Sequence, residues 1–71
     1  MASDSEKLCN NLKVHRTDAG LTQAELATSV GVSRKTINTV ENGVFVPSTL
    51  LALKIAKVLG TQVEALFYLE L

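Results

Sequence analysis

The sequence predicts a compact all-α domain of five short helices, one domain over residues 1–71. Three observations carry that expectation. Thr22 stands three residues before Glu25, and Thr61 three before Glu64, the spacing of a capping box that opens a helix. Gly20, Gly31, Gly43 and Gly60 each close a periodic stretch, in the position glycine favours after a helix. The pairs Leu26/Val30, Ile37/Val40 and Leu51/Ile55 are three or four residues apart, so each pair shares one helical face.

Residues 1–4 read as a flexible N-terminus. A first helix is expected from a cap at Ser5 or Asp4 to about Ala19, with Gly20 ending it. Leu8 and Leu12 form its stripe and Arg16 continues it. An arginine in line with two leucines needs a carboxylate partner, and Glu41 is the candidate because it too lies beside an apolar face. An Arg16–Glu41 ion pair is therefore expected to join the first and third helices.

The second helix starts at the Thr22 cap. Leu26 and Val30 face inward, and Ala27 is small where the next helix crosses. Gly31 supplies the positive φ of a sharp turn, and Val32 plugs that turn into the core. Ser33 caps the third helix, whose buried side is Ile37 and Val40 and whose end is Gly43. Pro47 and Ser48 open a fourth helix running to Leu59. Leu51, Ala52, Ile55, Val58 and Leu59 face inward, Lys54 and Lys57 mark the wet side, and Leu50 projects between them. The fifth helix runs from Thr61 to about Phe67. The tail, residues 66–71, is too apolar for a free end: part of it packs on the core, and the rest meets a second subunit or forms a short extended edge.

Two helices joined by one tight turn present the third helix as a rod for the DNA major groove. At ~100° per residue, Lys35, Asn38, Thr39 and Asn42 lie opposite Ile37 and Val40, with Arg34 at the edge of that face. This outward face carries no acid and no large apolar group. Arginine can fork onto guanine O6 and N7, and asparagine onto adenine N6 and N7. Ser33 and Thr36, at the start of the same helix, complete its candidate DNA-contacting set.

Composition sets limits on other functions. The chain is 46% hydrophobic and 20% charged, a globular balance. No apolar run approaches 18 residues and no signal-peptide core opens the chain, so a cytoplasmic location is expected. Cys9 is the one cysteine and reads as a small helix-packing residue. It cannot build a zinc site with His15 alone. No nucleophile, base and orienting group recur at catalytic spacing, so neither an enzyme nor a cofactor is expected, and no small-molecule site is evident. Seven basic and seven acidic residues give zero net charge, whereas phosphate contacts usually draw on a positive excess. Weak monomer affinity and a need for dimerisation follow.

The order Leu21-Thr22-Gln23-Ala24-Glu25-Leu26-Ala27, Val30-Gly31-Val32-Ser33, Ile37, Glu41-Asn42-Gly43, Pro47-Ser48 and Leu51-Ala52-Leu53-Lys54-Ile55-Ala56 resembles the phage-repressor/Cro family of helix-turn-helix regulators, also called the xenobiotic-response-element type. The resemblance runs from about Leu12 to Phe67, and the ending is similar to that of minimal single-domain members. It implies a repressor-like five-helix fold with the helix-turn-helix at helices 2 and 3. It implies that Gln23 touches phosphate and steadies the recognition helix. Arg34 and Lys35 match base-reading positions, Asn38 and Thr39 the positions one turn on, and Asn42 a phosphate contact. Ser48 and Thr49 match a backbone phosphate clamp at a helix N-terminus, and Arg16 with Glu41 matches an internal ion pair. Val44 departs from the basic residue frequent in relatives, and Leu50 from a polar one. Leu50 with Val44 or Val46 is either a contact surface or scattered exposed apolar residues.

The leading expectation is a homodimeric transcriptional regulator, a repressor, with two recognition helices about 34 Å apart on a near-palindromic double-stranded operator. Leu50, Leu66, Phe67, Tyr68, Leu69 and Leu71 are the candidate dimer contacts. The alternative is an antitoxin or bridging-type protein-interaction module on the same scaffold, favoured by the neutral charge and Val44.

Overall fold

The structure, a computed structural model, describes residues 6–70. A short strand β1 (Lys7–Asn10) leads into helix α1 (Leu12–Asp18). Helices α2 (Gln23–Val30), α3 (Arg34–Glu41), α4 (Thr49–Leu59) and α5 (Val63–Leu66) follow, and a second strand β2 (Phe67–Glu70) ends the described chain. The strands pair antiparallel, with Leu8 opposite Leu69, Cys9 opposite Tyr68 and Asn10 opposite Phe67. The described chain is thus mostly helical but not all-α: a two-stranded sheet joins its two ends.

The middle helices follow their local chemistry. Thr22 Oγ1 accepts the Glu25 backbone N–H at 3.0 Å while Glu25 Oε1 accepts that of Thr22 at 2.8 Å, a complete capping box. Gly31 takes the left-handed conformation at φ +78°. Val32 then donates its N–H back to the Ala27 carbonyl at 3.0 Å, which closes α2 and turns the chain into the next cap. Ser33 and Ser48 accept the N–H groups of Thr36 and Leu51, each at 3.1 Å, opening α3 and α4. Leu12, Leu26, Ile37, Ile55 and Leu66 are fully buried at the centre of one core, and Leu21, Val32, Leu59 and Phe67 pack around it.

The first helix begins at Leu12, with its N-cap at Asn11 rather than at Ser5 or Asp4 as the periodicity suggested. Leu8 and Cys9 are strand residues, and only Leu12 and Arg16 of the expected stripe lie on α1. Asn11 sits outside helical geometry at φ −112°, ψ 26°. Just before it, Asn10 Oδ1 accepts the Leu12 N–H at 3.0 Å, satisfying one of the donors that a helix start leaves free. Asn11 also donates its own N–H to the Leu66 carbonyl at 2.8 Å, continuing the contact between the two chain ends.

Three smaller expectations are corrected as well. The Thr61–Glu64 capping box does not form: Thr61 donates its N–H to the Ala56 carbonyl at 3.0 Å, closing α4 beyond Gly60. Gln62 therefore takes the N-cap position of α5 without a side-chain bond. The fifth helix ends at Leu66 and Phe67 is already strand. Val58 is 40% exposed, at the edge of the inward face of α4 rather than within it. The expected terminus at residues 1–4 and Leu71 lie outside the described residues.

Candidate nucleic-acid interface

The turn at Gly31 sets the first turn of α2 beside the outward face of α3, and a chain of polar contacts links them. Arg16 Nε donates to Glu41 Oε2 at 2.6 Å, and Arg16 Nη2 to Glu41 Oε1 at 3.3 Å. The guanidinium also donates through Nη1 to the Leu21 carbonyl at 2.8 Å. Both side chains are nearly out of solvent, 9% exposed for Arg16 and 4% for Glu41. A buried pair of this kind needs its remaining donors and acceptors satisfied, and here they are met within the fold.

The same carboxylate reaches the candidate interface. Gln23 Nε2 donates to Glu41 Oε1 at 2.9 Å. On its other side, Gln23 Oε1 accepts Arg34 Nη1 at 3.2 Å and Asn38 Nδ2 at 3.5 Å. Asn42 Nδ2 donates to Asn38 Oδ1 at 3.1 Å. Four of the expected contact residues, Gln23, Arg34, Asn38 and Asn42, therefore form one connected row from α2 across α3.

The hydroxyl residues have local work. Ser33 Oγ caps α3 and lies 3.0 Å from Thr36 Oγ1. Thr39 Oγ1 donates to the Thr36 carbonyl at 2.8 Å. Ser48 caps α4, with Thr49 exposed at its first position. Arg34, Lys35 and Asn42 are exposed, whereas Gln23, Thr36, Asn38 and Thr39 are half-buried. The only acid of α3 points inward onto Arg16, so its outward face shows two cations and no opposing charge. This local positive field coexists with zero net charge over the chain. Long-range steering follows the distribution of charge rather than its sum.

Two parts of the site were missed in the sequence. One is the Gln23–Glu41 bond, which depends on the crossing of α2 and α3 and has no local signature. The other is Asn10, whose Nδ2 donates to the Val40 carbonyl at 3.1 Å and the Glu41 carbonyl at 3.4 Å. It closes the C-terminal end of α3 from the strand.

The candidate contact surface for another chain is reshaped. Leu66 is fully buried in the core, so it is not a surface contact. Phe67 is half-buried against the same core. Tyr68 and Leu69 on β2 are 46% and 55% exposed, and Leu50 on α4 is 65% exposed. Val44 and Val46, in the loop before α4, are exposed too. Among the described residues no group of acidic, histidine or cysteine side chains could hold a metal ion, and no helix is long and apolar enough to cross a membrane.

A helix-turn-helix family model matches residues 6–66. An uncharacterized HTH-type transcriptional regulator of Methanocaldococcus jannaschii is 48% identical over 61 residues, covering 86% of this chain and 92% of the relative. The crystal structure of a putative DNA-binding protein from Bacteroides fragilis superposes with a TM-score of 0.79 at 26% identity, over 86% of this chain and 98% of the other. The restriction-modification controller protein C.AhdI from Aeromonas hydrophila is similar at a TM-score of 0.72 and 33% identity, over 76% of this chain and 82% of the controller.

Proposed function

From the premise that this chain belongs to the Cro/C1-type helix-turn-helix family of DNA-binding transcriptional regulators, we propose that it is a homodimeric repressor reading a near-palindromic operator with α3. Relatives in this family are regulators and not enzymes. The observation that carries the reading is the connected row Gln23–Arg34–Asn38–Asn42 beside the exposed Lys35. Each α3 lies in a major groove, and two copies stand about 34 Å apart on one side of the duplex. Arg34 and Lys35 read base edges, with Asn38 and Thr39 one turn further in. Gln23 and Asn42 meet phosphate. The backbone N–H groups at the start of α4, at Ser48 and Thr49, hold a further phosphate, and Ser33 and Thr36 position the α3 N-terminus. Occupying a promoter is the means of repression. The curated relatives are bacterial or archaeal, cells whose chromosome lies in the cytoplasm, and the chain acts there.

Dimerisation is supported by the exposed apolar residues Leu50, Tyr68 and Leu69 and by the small number of phosphate-directed cations. The same residues favour a second reading, an antitoxin or bridging-type module that uses them to hold a different protein.

Selection of bound sequences from random duplex DNA, followed by a salt titration of the winner, tests the proposal. An inverted repeat and a steep salt slope are expected. Arg34→Ala should cost about 1–3 kcal/mol and relax preference at one base pair. Gln23→Ala should weaken binding to all sequences more evenly. A chain that enriches no sequence, and that copurifies with a stable protein partner, would move the assignment to the second reading.

A further inference from the structure

The Glu41 side chain stands behind the interface, nearly out of solvent, yet the geometry points to it as a positioning residue that sets sequence preference through Gln23. This rests on the reading of α3 as the DNA-contacting helix. A carboxylate only accepts hydrogen bonds, and a primary amide has one donating end and one accepting end. Glu41 Oε1, 2.9 Å from Gln23 Nε2, therefore holds the donating end of Gln23 inward. The accepting end, Oε1, is left facing Arg34 Nη1 at 3.2 Å and Asn38 Nδ2 at 3.5 Å. Both are donors, so the amide is matched on both sides in this orientation. In the inverted orientation it would set oxygen against carboxylate and N–H against guanidinium.

The consequence is directional. Arg16 neutralises the carboxylate and holds chiefly its Oε2, at 2.6 Å against 3.3 Å for Oε1, whereas Oε1 fixes the Gln23 amide, and Gln23 restricts the rotamers of Arg34 and Asn38 before any base is met. Restricting a side chain in its bound geometry lowers the ordering cost of binding. The benefit falls on the base pair that Arg34 reads. Exchanging the arginine for lysine keeps the charge but loses hydrogen bonds of the guanidinium, which lowers stability, whereas removing the acceptor that faces Gln23 changes which base is preferred.

The test compares base-preference profiles of Glu41→Gln, Gln23→Met and Arg16→Lys with that of the unaltered chain, each checked for folding by circular dichroism. The base pair read by Arg34 is identified from Arg34→Ala. Glu41→Gln gives position 41 an amide that can donate to Gln23 and invert it. Preference at the Arg34 base pair should fall by roughly tenfold, with the profile elsewhere kept. Besides the even loss of affinity from its phosphate contact, Gln23→Met should relax the same base pair while leaving the ion pair intact, and adding Glu41→Gln to it should change the profile no further. Arg16→Lys should lower the unfolding temperature and leave the profile unchanged. If Glu41→Gln does not fold, Glu41→Asp, which keeps a charge for Arg16 but withdraws from Gln23, is read in its place with the same expectation. A folded Glu41 variant with an unaltered profile overturns the inference, as does an Arg16→Lys profile that shifts in the same way. If the unaltered chain enriches no sequence at all, it is the assignment of α3 to DNA that has failed.

Discussion

Asn10 and Val40 are joined by a side-chain hydrogen bond of 3.1 Å that ties the first strand to the last turn of α3. The same asparagine accepts the Leu12 N–H at 3.0 Å, so one side chain serves the start of one helix and the end of another. Asn10→Ala removes both contacts and leaves partly buried backbone groups without them. A loss of about 1–3 kcal/mol is expected, or about 4–8 °C in Tm for each kcal/mol in a domain of this size. Thermal unfolding followed by circular dichroism measures it. Asn11→Ala is the comparison, since the exposed Asn11 makes no side-chain cap bond, and it should stay within about 0.5 kcal/mol.

The Arg16–Glu41 pair gives a sharper contrast. Arg16→Met strands a carboxylate that is 4% exposed, and removing one partner of a buried pair costs about 3–5 kcal/mol. That is enough to unfold much of a small domain. The double replacement Arg16→Met with Glu41→Met removes the stranded charge and should recover most of the loss. Urea titration of the two variants decides the matter: a single variant as stable as the double one would show that the carboxylate is not stranded.

Which parts of this were readable beforehand depends on the range of the interaction involved. The bounds of α2, α3 and α4 follow from Thr22, Ser33 and Ser48 and from the glycines after each helix, all within a few residues of the bond they govern. The Arg16–Glu41 pair spans two helices but announces itself, because each charge stands in line with apolar neighbours. Leu8 misled, since its four-residue spacing to Leu12 fits a helix as well as a strand. The deciding partner, Leu69, lies at the far end of the chain. Thr61 misled because Gly60 and Thr61 are consumed in ending α4 before α5 can use them. The outward chemistry of α3 was legible from its helical period. The amide of Gln23 was not, because its orientation depends on a residue eighteen positions away.

Gly31 isolates a backbone effect. It holds φ +78°, and a Cβ built there meets no heavy atom within 4 Å. Gly31→Ala should therefore cost only the left-handed strain, about 1–2 kcal/mol, with no clash to relieve. Gly31→Asn should cost less, because asparagine tolerates this region better. Chemical denaturation of both variants checks the order. A loss well above this range for alanine would mean that the turn between α2 and α3 is tighter than its open surroundings indicate.

Leu66 and Leu69 separate the core from the tail's outer surface. Leu66 is fully buried and Leu69 is 55% exposed opposite Leu8. Leu66→Ala should destabilise the chain by about 2–5 kcal/mol. Leu69→Lys should cost the isolated chain about 1 kcal/mol or less, the scale of one cross-strand pair. If β2 carries the contact between copies, the lysine variant should weaken self-association by about tenfold or more, or about 1.4 kcal/mol. Operator affinity should fall with it, because in the proposed dimer each copy contributes one recognition helix. Sedimentation equilibrium with and without the substitution measures the first effect, and operator titration the second. Unchanged self-association in Leu69→Lys would take the dimer contact away from β2 and leave Leu50, on α4, as the surface to examine.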